Sequence, residues 1–162
     1  DFRRSRGLGD VYKRQLRPVG EPRLNEDLNA NVTIVHLTPA LTAEALRHQL
    51  SQTGLRAAIL RTYGSGNAPR HPEFLAALAE AQERGIFLVN VTQCTVGSVD
   101  ANRYVTGAGL TRLGVEPSLD ITLEAALTKL MVLAALEPSR EGLREAFKRD
   151  MAGEQTPAEA IR

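Results

Sequence analysis

Leu60-Arg61-Thr62-Tyr63-Gly64-Ser65-Gly66-Asn67-Ala68-Pro69 marks where this chain turns from apolar to polar. An apolar run at 57–60 (AAIL) passes straight into an arginine, a tyrosine, two glycines one residue apart and an asparagine, and a proline closes the segment. A strand therefore ends in a polar loop. Gly64 and Gly66 allow positive φ or a close approach of backbone to a ligand. Arg61 brings a planar, permanently charged fork suited to a carboxylate, and Asn67 donates and accepts at once. Carboxylate plus amide chemistry fits an amino acid. The plainer alternative is a tight turn between a strand and a helix, with Arg61 solvated.

Two similar apolar runs flank this one, at 32–37 (VTIVHL) and at 86–91 (IFLVNV). Between the first two, Leu41, Ala45, Leu46 and Leu50 share a helical face, with Gly54 as its stop. Between the second two, a helix from Pro72 turns Phe74, Leu75, Leu78 and Ala81 inward and ends at Arg84-Gly85. His36, His48 and His71 read as structural or solvated.

A βαβαβ pattern with right-handed crossovers makes the three strands parallel. The loops after them, at Thr38, at 61–67 and at 92–98 (TQCTVGS), then share the carboxyl edge of the sheet, where open parallel sheets bind ligands. That placement strengthens the ligand reading of Arg61. Farther on, Gly107 and Gly109 interrupt a weakly helical stretch with Leu110 and Leu113, and 115–119 is a candidate fourth strand. Thr122 is placed to cap a helix with Glu124 in its first turn and Leu123, Leu127, Leu130, Met131 and Ala134 as its apolar stripe. Pro138-Ser139 separates it from a last helix carrying Leu143, Ala146 and Phe147. The expected fold is α/β: a three-layer α/β/α domain with a small, about four-stranded parallel sheet, flavodoxin/Rossmann-like.

The composition agrees with one such domain. The chain has 162 residues, and 20 Lys plus Arg against 19 Asp plus Glu leave no excess pointing to nucleic acid or an acidic membrane. The single Cys94 excludes an intrachain disulfide, and three scattered histidines offer no metal-ligand spacing, so the reading calls for no metal or cofactor. No apolar run approaches the roughly 20 residues of a membrane span, and a cytoplasmic location is expected. Residues 1–15 carry five cationic side chains and no period, and are expected to be disordered or non-native, since SRGLGDVYKRQ resembles a translated adaptor remnant. Residues 16–30 read as a linker, and 31–162 as the domain.

Four blocks then resemble one family: LRTYGSGNAP at 60–69, RGIFLVNVTQCTVGSV at 84–99, YVTGAGL at 104–110 and DITLEAALTKLMVL at 120–133. In this order and spacing they are similar to the C-terminal domain of type I, cytoplasmic L-asparaginases. The resemblance implies an amidohydrolase whose nucleophilic threonine, in a TGGT motif, and second Thr-Asp-Lys set belong to an N-terminal domain. No TGGT occurs here, so no catalytic residue is assigned in this chain, and the chain alone is expected to be inactive. The resemblance further implies that Asn67 reaches into a neighbouring subunit's active site in a homodimer or dimer of dimers. It also implies that Arg61 and Cys94 contribute to a regulatory L-asparagine pocket, with Tyr63, Gly64, Gly66, Thr92 and Gln93 as supporting loop residues. Tyr104 is a core or flanking residue on this reading. The chain departs from the family's usual glycines at Val115-Glu116-Pro117-Ser118, which leaves the edge of the fourth strand open. Alternatives are a stand-alone amino-acid-binding and oligomerisation module, or the equivalent domain of a tRNA-dependent amidotransferase subunit or of an asparaginase-lysophospholipase fusion.

Overall fold

The computed structural model describes residues 21, 24–94, 98–99 and 108–156. The expectations for residues 1–20, for Thr95 to Gly97, and for Tyr104 and Gly107 lie outside the described residues.

The elements run β1 (Val32–His36), α1 (Ala43–Leu50), β2 (Ala57–Thr62), α2 (Pro72–Glu83), β3 (Phe87–Thr92), α3 (Ala108–Arg112), β4 (Glu116–Pro117), α4 (Leu123–Leu136) and α5 (Arg140–Phe147). The strands form one parallel sheet in the order β1-β2-β3-β4. Among the described residues the order follows the sequence, with no reversal of the kind at which a Rossmann crevice opens. With right-handed crossovers, sequential order puts α1 and α2 on one face, where they pack on each other. The other face is covered by α4 and α5.

The pleat sorts the side chains accordingly. Val35, Ala58, Leu60 and Leu88 join Leu46, Leu50, Phe74 and Leu78 in one core. Ala57, Ile59, Phe87, Val89 and Val91 join Ala126, Leu130, Leu143 and Phe147 in the second. In the central strands β2 and β3 both alternating sets are buried, as a sheet covered on two sides requires.

Of the helix caps, Thr122 and Arg84-Gly85 follow the sequence reading, and Thr42 and Ser139 are added by the structure. Thr42, Thr122 and Ser139 accept the backbone N–H groups of Ala45, Ala125 and Gly142, and Gly85, at φ 87°, follows the Arg84 cap of α2. Gly54 does not stop α1, which ends at the Ser51 cap; the glycine takes φ 76° in the turn that follows. The α4 stripe is also rotated from the expected one. Ala126, Lys129, Leu130, Leu133 and Ala134 are buried, while Leu123, Leu127 and Met131 are half-buried. The displacement admits a lysine into the interior, which apolar periodicity does not anticipate. Among the described residues no helix is long and apolar enough to cross a membrane, and no group of three His, Cys, Asp or Glu is placed to hold a metal.

Candidate functional site

After β2 the chain closes a small hairpin. Tyr63 N–H donates to Asn67 O at 2.9 Å and Asn67 N–H to Tyr63 O at 2.8 Å, with Gly66 N–H on the same carbonyl at 3.0 Å. Gly64 at φ 49° and Gly66 at φ 109° make so tight a reversal possible. Gly66 is needed for space as well, since a Cβ there would lie 2.9 Å from Val99 Cγ1 and 3.0 Å from Asn90 Nδ2.

The hairpin is tied down to β3 from below. Thr62 Oγ1 donates to Asn90 Oδ1 at 2.5 Å, and Asn90 Nδ2 donates to Gly66 O at 3.1 Å. Both side chains are buried, so the polar residue in the middle of β3 is satisfied within the fold. Thr92 Oγ1 donates to Gly64 O and accepts the Cys94 N–H. Gln93 Nε2 bridges Leu37 O at 2.7 Å and Arg61 O at 2.8 Å, sewing together the carboxyl ends of β1 and β2. The Asn67 backbone is thus fixed, while its buried Oδ1 has no partner among the described residues.

Arg61 and Cys94 line one cavity of about 230 Å³, between the ends of β2 and β3 and the start of α4. Arg61 Nε is buried there without a hydrogen-bond partner among the described residues, and the Cys94 thiol is exposed. Asp120, Thr122 and Glu124 line the same cavity. Burial opposes ionisation of Asp120, but the Thr156 hydroxyl and N–H, donating at 2.6 and 2.8 Å, hold its carboxyl below the usual value. One guanidinium sharing a cavity with two carboxylates, beside the amino end of a helix, complements a small zwitterion.

The expected residues therefore divide. Arg61, Thr92 and Cys94 meet at the cavity, whereas Asn67, Gly64 and Gly66 form the hairpin and Gln93 is a brace. Tyr63 packs on the α1/α2 core and borders a separate cavity of about 570 Å³ with Thr38, Leu41 and Phe74. Asp120 and Thr156 are additions that the sequence reading does not supply. The signal for Asp120 is topological: the loop after a fourth parallel strand must also emerge at the carboxyl edge.

The sequence model of the Glutaminase/Asparaginase C-terminal domain matches residues 31–147. The chain belongs to this family. As an asparaginase C-terminal domain it is 43% identical over 126 residues to L-asparaginase 1 of Escherichia coli, covering 78% of this chain and 37% of that protein. It is 30% identical over 158 residues to a Glutamyl-tRNA(Gln) amidotransferase component of Saccharolobus islandicus, covering 98% of this chain and 35% of that one. The crystal structure of L-asparaginase I from Vibrio cholerae superposes with a TM-score of 0.79 at 38% identity, covering 86% of this chain and 42% of the other. The chain thus spans about two-fifths or less of the length of these relatives.

Proposed function

We propose that this domain works within an L-asparaginase that hydrolyses L-asparagine to L-aspartate and ammonia. The family match across 31–147 carries the reading. The attacking threonine, its base and the oxyanion donors come from an N-terminal domain, and this domain completes the site in a homodimer or a dimer of dimers. Asn67 is assigned to the neighbouring subunit's substrate. A side-chain amide on a hairpin whose backbone is already pinned loses little freedom on binding.

The second task is effector binding. Arg61 takes the carboxylate of a free L-asparagine, Asp120 and Glu124 face its ammonium, and Cys94 contacts it from the rim of the cavity. The unpartnered Arg61 Nε supports this assignment, because a buried donor costs about 1–3 kcal/mol until it is paired.

The test is ammonia release from L-asparagine by the gene product read with its upstream coding sequence, parent against Asn67→Ala. The variant is expected to lose at least about tenfold in kcat/KM with an unchanged melting temperature. Full activity in the variant removes Asn67 from the site, and inactivity of the parent removes the asparaginase reading. The amidotransferase alternative has one observation in its favour, an alignment reaching 98% of the chain. Turnover of free L-asparagine by the protein alone separates the two.

A further inference from the structure

Beyond α5 the chain turns back across α4, and the contacts of residues 149–156 are unusually polar for so short a segment. Lys129, buried on α4, donates from Nζ to Arg149 O at 2.6 Å and pairs with Glu154 Oε1 at 2.6 Å, lying 5.0 Å from the centre of the Phe147 ring. The Glu154 carboxylate also accepts N–H groups from Met151 and Ala152. Gln155 is buried and donates to Phe147 O at 3.3 Å and Lys148 O at 2.8 Å. Two residues beyond the ion pair, Thr156 donates its N–H to Asp120 Oδ1 and its hydroxyl to Asp120 Oδ2.

Asp120 is the residue these contacts reach, and it borders the Arg61–Cys94 cavity. A carboxylate has about four acceptor positions, two on each oxygen. Thr156 takes one on each and the Asp120 backbone N–H takes a third, which leaves one for a ligand. The carboxylate plane is fixed by the two bonds together, although Asp120 itself is exposed.

We propose that residues 149–156 act as a strap that aims Asp120 into the cavity, making Thr156 a positioning residue for the ammonium group of a bound α-amino acid. This rests on the effector reading and adds to it a route by which the carboxyl-terminal segment sets the affinity of that pocket. Lys129 anchors one end of the strap, and the Thr156–Asp120 pair is the other. A ligand that binds the oriented carboxylate also stabilises the docked strap, because the two equilibria are linked.

The test is calorimetric titration of this chain with L-asparagine and with succinamate, the same molecule without its amino group. Thr156→Val is expected to weaken L-asparagine binding about tenfold, the scale of one hydrogen bond to a charged group. Succinamate, having no ammonium to place, binds parent and variant alike, and Thr156→Ser restores the parent affinity. Arg61→Gln loses both ligands. Parent-like L-asparagine binding by Thr156→Val, with loss in Arg61→Gln, overturns the strap while leaving the effector pocket in place. An equal weakening for both ligands in Thr156→Val also overturns it, as general loosening of the pocket. Absence of binding by the parent overturns the effector reading itself, and the strap with it.

Discussion

Replacing Glu154 by glutamine isolates one interior ion pair with a calculable cost. The Lys129 and Glu154 side chains are 3% and 13% exposed and meet at 2.6 Å. Burial alone would raise the Glu154 carboxyl, but the Lys129 ammonium and the N–H groups of Ala152 and Met151 outweigh it and bring it down from 4.5 to about 2. A drop of that size is worth about 3 kcal/mol to the folded state at neutral pH. It agrees with the roughly 3–5 kcal/mol lost when one member of a buried pair is removed. Because the folded value lies below the unfolded one, the stabilisation is complete above about pH 5 and is lost as pH falls through 4.5 toward about 2. Urea denaturation followed by circular dichroism reads this directly. At pH 7 Glu154→Gln is expected to lower stability by about 3 kcal/mol, a midpoint shift of roughly 1.5 M for a slope of about 2 kcal/mol/M. At pH 3 the gap to the parent narrows to roughly half of that. A cost below about 1 kcal/mol at pH 7, or a gap that does not change between pH 7 and pH 3, means that the pair does not stabilise the fold in this way.

Two other substitutions test the hairpin. Gly66→Ala is expected to cost about 2 kcal/mol or more, because an alanine meets both the φ of 109° and the Val99 methyl at 2.9 Å; thermal melts check it, and a parent-like melting temperature counts against the close packing. Asn90→Ala leaves the Thr62 hydroxyl only the longer contact to Val91 O and removes the side-chain donor on Gly66 O, and should cost about 1–3 kcal/mol by urea denaturation. It should also speed proton exchange at the hairpin amides of Gly66 and Asn67 relative to those of β1, and uniform exchange across the sheet would contradict that.

The strands and their direction were legible because buried parallel strands are continuous apolar runs bounded by turn residues. Their carboxyl ends were less so. β2 runs on through Arg61-Thr62 and β3 through Thr92, where the backbone ladder continues although the side chains have turned polar. Topology brought the loops of Arg61 and Cys94 to one edge, and the family resemblance singled out the two residues. Thr156 at Asp120 did not, since 36 residues separate them and no local pattern encodes the contact. Lys129 was hidden for a related reason: a lysine in a helix reads as solvated unless its distant carboxylate is known. The hairpin's glycines were visible as a pair, but that Gly66 is required by Val99 and Asn90 beneath it depends on packing.

The two-residue strand β4 carries one more consequence. Ser118 N–H is bonded to Asn90 O on the inner side, so the neighbouring Pro117 occupies the position whose amide would point outward, and it has no amide hydrogen to offer. A foreign strand approaching this margin finds a template two residues long, with its outward donor removed. With Leu119 O already taken by the Val99 N–H, this margin offers little for edge-to-edge pairing.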